Sequence, residues 1–204
     1  MTIGKLYIIS APSGAGKTSL VKQLVADLAD LTVSISHTTR QMRAGEIHGQ
    51  DYYFVTVADF QAIQEKQGFL EHAQVFDNFY GTAQQTVEEN LKKGLDVILE
   101  IDWQGAEQIK KLLPDSLSIF ILPPSTEVLL QRLRNRGQDD EHIIARRMRD
   151  AVTELRHHDE FDYLVVNEVF AQALTELKSI IIANRLTRQR QLHILRPLLA
   201  SLLA

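Results

Sequence analysis

Leu6-Tyr-Ile-Ile-Ser10 is a short apolar run of strand formers, followed at once by Ala11-Pro-Ser-Gly-Ala-Gly-Lys-Thr18 and then by a helix-like stretch from Thr18 to Leu28. That order restricts the chain sharply. A loop between a buried strand and a helix, with Gly14 and Gly16 inside it, can curl so that backbone N–H groups converge on an anion, and the helix adds the positive end of its dipole. The segment fits the phosphate-binding pattern G-x-x-x-x-G-K-[ST] at every fixed position but the first, where Ala11 stands in for glycine. Alanine is the nearest substitute, so the departure matters only if that position requires a positive φ. Pro12, Ser13 and Ala15 complete the loop. Lys17 is expected to reach the β and γ phosphates of a nucleoside triphosphate, taken as ATP. Thr18 is expected to offer its hydroxyl to Mg²⁺, which neutralises charge as the terminal phosphoryl group leaves. The rival reading, a glycine turn with a solvated lysine, leaves the flanking strand and helix unexplained.

Three more core strands are expected: one including Leu95–Leu99, one at Leu117–Leu122 and one at Tyr163–Val166, separated by segments of helical character. Apolar strands alternating with helices imply an α/β fold, a parallel sheet covered by helices on both faces. From Ser36 to Gly81 the texture changes to Gly, Tyr, Phe, Thr and His with short strand-like pieces, which reads as an inserted subdomain. Leu133 to Arg156 is dense in arginine among acids, with Gly137 as a candidate hinge, and reads as a charged flap.

The 204 residues suffice for one compact unit, and a net charge of −4 argues against sequence-independent affinity for nucleic acid. With no cysteine there is neither a disulfide framework nor a thiolate zinc site. Met1–Lys5 lacks the start of a signal peptide. The apolar tail Ile194–Ala204 is too short to span a bilayer and contains Arg196 and Pro197, so a terminal helix packed on the body is expected, with a partner interface as the alternative. No membrane partner is expected, and the cytoplasm is the default compartment. None of the seven histidines falls in a familiar metal spacing, and Ser13 sits in the phosphate loop rather than in a nucleophile elbow.

The inserted region opens Ser36-His-Thr-Thr-Arg40 and continues through Arg43, Gly45, Glu46 and Gly49 to Asp51-Tyr-Tyr-Phe54, then Phe69-Leu-Glu-His-Ala73 and Asn78-Phe-Tyr-Gly-Thr82. With Glu100-Ile-Asp-Trp-Gln-Gly105 after the second core strand, the chain resembles the guanylate kinases, of the bacterial type, from the phosphate loop to about Asn167. Ala11 is compatible with that family. Met42 departs from it, since the family usually has proline between the two arginines. The resemblance implies a P-loop NTPase core over about 1–35, 83–125 and 160–204, a GMP-binding subdomain over about 36–82 and a helical lid over about 126–159. It implies transfer of the γ-phosphoryl group of Mg·ATP to GMP, with dGMP as a further acceptor, giving ADP and GDP in purine nucleotide metabolism and GMP recycling.

The residues can be weighed against that chemistry. Arg40 and Arg43 supply forked donors to a monophosphate, and by the family pattern Tyr52 and Tyr80 add phenolic donors. Guanine presents two adjacent N–H donors that a carboxylate such as Glu71 can accept, while Ser36 and Thr82 can satisfy O6 and its neighbours. Adenine would set its N1 lone pair against Glu71, a defect worth on the order of 10⁴ in discrimination. By resemblance Glu100 and Asp102 approach the acceptor, with Asp102 a candidate for the Mg²⁺ water shell. Capping of the next helix suits Asp102 almost equally well. Arg132, Arg136 and Arg147 match positions from which the family closes arginines over the transferring phosphates. Arg134, Arg146 and Arg149 have no such match, and pairing with Asp139, Asp140 and Glu141 is expected of them instead. Asn167 either contacts adenine, as in similar kinases, or caps a loop. Two rivals remain at this point. A P-loop kinase of ribose 1,5-bisphosphate would have no use for Glu71, Ser36 and Thr82. A catalytically silent protein-binding module of the same fold characteristically lacks the loop lysine or its glycines. The tail Asn184–Ala204 is left open as a homo-oligomer contact.

Overall fold

The computed structural model describes residues 4–75, 77–135 and 141–204. Its core is a five-stranded sheet of β1 (Leu6–Ser10), β2 (Leu31–Ser34), β7 (Asp96–Glu100), β8 (Leu117–Leu122) and β9 (Tyr163–Val166), ordered β2-β7-β1-β8-β9. Every pairing is parallel. The three central strands are near-continuous apolar runs because helices cover them on both sides. Tyr7, Ile9, Ile98, Ile119 and Ile121 face α1 (Lys17–Asp27) and α7 (Phe170–Arg185). Leu6, Ile8, Val97 and Leu99 face α3 (Gln84–Lys92) and α4 (Trp103–Leu112). The period-2 alternation of each strand thus feeds two cores.

The expected α/β class holds, and three of the four expected strands keep their position to the residue while the second begins at Asp96 rather than Leu95. β2 was not foreseen: only Leu31 and Ser34 of its four residues are buried, so Leu-Thr-Val-Ser carries little of the apolar signal of a core strand. β9 is an edge, with Tyr163, Leu164 and Val166 exposed and Val165 alone turned inward.

Residues 37–83 form a second sheet, β4-β3-β6-β5, from β3 (His37–Thr38), β4 (Tyr53–Phe54), β5 (Phe69–Val75) and β6 (Asn78–Ala83), with α2 (Val57–Glu65) against it. Thr56 and Asp59 close a capping box on α2. After β8, α5 (Thr126–Asn135) and α6 (Glu141–Leu155) share a small apolar cluster of Leu129, Leu133, Ile144 and Ala151. Gly137, Asp139 and Asp140, named above as hinge and pairing partners, lie outside the described residues. Arg134 does pair with Glu141, whereas Arg146 reaches Asp77 of the second sheet's hairpin at 3.7 Å.

The tail differs from expectation. It forms two short helices, α8 (Arg188–Ile194) and α9 (Arg196–Leu202), neither with a buried residue, and Leu198, Leu202 and Leu203 are exposed. Pro197 starts the second helix rather than continuing the first, so no single apolar face long enough to dock on the body develops. What anchors α8 is polar: Arg190 donates to the buried Asp96 at 2.8 Å, alongside Arg185 from the end of α7 at the same distance.

Candidate active site

The phosphate loop leaves β1 and turns through Gly14 and Gly16, at φ 94° and 95°, where a Cβ would be strained. Ala11 is not among the positive-φ residues, so alanine is tolerated there. Asn167 lies just past β9, buried, and donates its side-chain amide to the Ala15 carbonyl at 2.7 Å. Arg132 of α5 donates to the Asn167 carbonyl at 2.9 Å and to the Ala15 carbonyl at 3.4 Å. The loop is therefore held from outside by an amide and a guanidinium, and the loop-capping alternative for Asn167 is the geometry found. Lys17 opens α1, half-buried, and Thr18 follows it, exposed. Arg147 lies half-buried on α6. Arg136 lies outside the described residues.

Across from the loop, Glu71 on β5 is 3% exposed, and Thr82 on β6 donates its hydroxyl hydrogen to Glu71 Oε1 at 2.6 Å. With its one hydrogen so engaged, Thr82 cannot also donate to O6 of a base, so its contribution in this arrangement is to hold Glu71. Burial, reinforced by the charge of Asp102 and opposed by the Thr82 hydroxyl and the charge of Lys17, pushes the Glu71 carboxyl up to about 7. Ser36 is buried just before β3, whose His37 pairs with Gly81 next to Thr82.

Arg40 carries its guanidinium over the Tyr52 ring, 5.5 Å from the centroid, and donates to Glu46 at 2.7 Å. Arg43 is exposed, and its backbone N–H donates to the same Glu46 carboxylate at 2.8 Å. Met42 between them is exposed. Tyr52 and Tyr80 meet edge to face at 6.0 Å. Burial pushes Tyr52 up to about 12, helped by Tyr80 and by the carboxylate of Glu100. Asp102 caps α4, accepting from the Gly105 N–H at 3.0 Å. The capping role weighed above for Asp102 is thus realised, while its charge still reaches Glu71.

Two acids escaped the sequence reading as site residues. Glu46 was visible in the motif but carries no family-independent signal for pairing with Arg40. Glu154 sits on α6 with its carboxyl pushed up to about 7 by burial, in the field of Lys17, Asp102 and Asp150. Arg147, Asp150 and Glu154 share one helix face at spacings of three and four, which was the available signal. Trp103, at the start of α4, stacks on His157 beyond α6 at 3.6 Å between ring centroids.

Fold and site together define a P-loop α/β protein with a second, arginine- and carboxylate-bearing pocket facing its phosphate loop. Residues 3–184 match the family model of guanylate kinase. The chain is 57% identical to a guanylate kinase of Methylococcus capsulatus over the full length of both, and 54% identical to that of Escherichia coli over 95% of each. A crystal structure of guanylate kinase from Anaplasma phagocytophilum superposes with a TM-score of 0.79 at 32% identity, covering 93% of this chain and 90% of the other. The chain belongs to the guanylate kinase family.

Proposed function

We propose that this protein transfers the γ-phosphoryl group of Mg·ATP to GMP, giving ADP and GDP, with dGMP as a further acceptor. The observation that carries the reading is the buried Glu71, close enough to the phosphate-loop Lys17 to feel its charge, so that a base-reading acid and a phosphate-binding lysine serve one cleft. The kinase of ribose 1,5-bisphosphate has no base to occupy that carboxylate. No described helix is long and apolar enough to cross a membrane.

Loop N–H groups and Lys17 bind the β and γ phosphates of ATP. Arg40, Arg43, Tyr52 and Tyr80 bind the monophosphate of GMP, with Glu46 orienting Arg40 until the phosphate arrives. Glu71, aligned by Thr82, accepts the guanine N–H pair. Ser36 can satisfy O6. Arg132 and Arg147, joined by Arg136, compensate charge on the group in flight, because phosphoryl transfer depends on positioning and electrostatics more than on covalent chemistry. Asn167 keeps the loop in shape beside the adenine site. Glu100 approaches the acceptor nucleotide, on the side where its charge raises Tyr52.

No group of three or more His, Asp or Glu capable of caging a metal exists among the described residues. Mg²⁺ keeps most of its waters and is held largely by substrate phosphates. Thr18 would hold it directly and Asp102 through water, and when bound it supplies charge neutralisation between the phosphates.

The subdomain 36–82 and the lid 126–159 close on the core 1–35, 83–125 and 160–204 to keep water from the γ phosphate. A coupled ADP-release assay with GMP, dGMP, AMP and ribose 1,5-bisphosphate tests the assignment. Turnover with GMP far above AMP is expected, and equal turnover would overturn it.

A further inference from the structure

Gly105 closes the Glu100–Gly105 run and has no part in the reaction described above. It is buried in the first turn of α4, in a helical conformation that alanine would adopt more readily than glycine. Nothing in the backbone of that turn therefore explains glycine. The neighbour does. A Cβ on Gly105 would lie 2.6 Å from Glu71 Oε2 and 3.2 Å from both Glu71 Cδ and Ile101 Cδ1, so the closest encounter is with the carboxylate. Glu71 Oε1 is already fixed by the Thr82 hydroxyl at 2.6 Å. The carboxylate is thus located from two sides, by a donor on one oxygen and by the bare Cα of a helix against the other.

We propose that Gly105 is a specificity-determining positioning residue: its missing side chain is the space that Glu71 Oε2 occupies, and it sets where the carboxylate meets the guanine edge. This rests on Glu71 being the guanine-reading group. The atom a new methyl would displace is the end of a side chain, so the fold can absorb the change, but Glu71 is enclosed and its carboxylate can yield only by leaving Thr82 or turning from the base. The Gly105 N–H to Asp102 bond survives the substitution, since it is a backbone donor. The effect is therefore confined to the acceptor base and leaves the ATP side alone. Displacing a buried contact by about 1 Å can lower rate by about a hundredfold.

The test compares wild type, Gly105→Ala, Glu71→Gln and the double variant by kcat/KM for GMP and AMP, KM for ATP and melting temperature. In Gly105→Ala, kcat/KM for GMP is expected to fall about a hundredfold, with KM for ATP within twofold of wild type and melting temperature unchanged or higher. In the Glu71→Gln background the same substitution is expected to add less than twofold, because the two act through one group. Three results overturn the proposal: GMP kinetics within twofold of wild type, an undiminished loss in the double variant, or a joint fall in melting temperature and in use of both substrates. Glu71→Gln retaining wild-type preference for GMP over AMP would instead remove the base-reading assignment itself, and the proposal with it.

Discussion

The phosphate loop takes its ligand groups from eight contiguous residues, Ala11–Thr18, and largely from their backbone, whereas the pocket opposite gathers side chains from β5, β6 and the turn after β2, against the start of α4. The loop depends on two glycines at positive φ and on external ties from Asn167 and Arg132. The pocket depends on a buried carboxyl held near 7 by its surroundings. Backbone donors at a helix start are oriented by chain geometry and keep their charge distribution at any pH. A buried acid must be held by neighbours and answers to protons. Anion binding by the loop should therefore be robust, and base reading should be sharp but conditional.

The largest consequence concerns that acid. Glu71→Gln sets an amide N–H against a guanine donor, and the preference for GMP over AMP should fall by about 10⁴, as read from the ratio of kcat/KM values. Survival of the preference would mean that the pocket reads the base by other groups. Next comes the loop. Lys17→Ala should lower kcat by about 10³ while leaving GMP affinity, measured by calorimetry without ATP, close to wild type. Joint loss of both would show the two halves to be one unit rather than two.

A smaller effect separates the halves by pH. The empty pocket takes up a proton as pH falls through about 7, and only the carboxylate accepts both guanine N–H groups. The dissociation constant for GMP should then rise by up to about tenfold per pH unit below 7 beyond the rise caused by protonation of the GMP phosphate itself, whose second pKa is about 6, and Glu71→Gln should remove that extra slope. The smallest effect lies between the halves, at Glu154. Its folded-state carboxyl is raised from an ordinary 4.5 to about 7. The stability it contributes is complete below about 4.5 and is lost as pH rises through 7. Glu154→Gln, a neutral isostere, should raise the melting temperature by a few degrees at pH 8 and by much less at pH 5. An equal rise at both values would show that the acid is not the titrating group.

Much of the core was legible because each central strand is a continuous apolar run with turn residues at its ends, and Leu117–Leu122 and Tyr163–Val166 need no partner to be recognised. β2 was not, since Leu-Thr-Val-Ser carries little apolar signal and is specified by its pairing with β7, whereas β9, an edge strand of the same length, reads Tyr-Leu-Val-Val. The tail misled for the opposite reason. Leu195, Leu198, Leu199 and Leu202 look like a docking face in sequence, but the break at Pro197 and the polar tie from Arg190 to Asp96 leave α9 exposed.

The phosphate loop could be read without coordinates because its chemistry resides in neighbours along the chain: glycines where φ must be positive, a lysine and a threonine where a helix begins. The family motifs likewise named Glu71, Arg40 and Asp102 as candidates. Their partners depended on three-dimensional proximity. Thr82 on Glu71, Glu46 on Arg40 and Asn167 under the loop pair residues that periodicity does not relate, and Glu154 lies in the field of Lys17. Gly105 is the clearest case, a glycine that its own helix does not require. A hydrogen bond or an excluded methyl depends on distances of a few tenths of an ångström between segments far apart in sequence, and only the folded chain sets those distances.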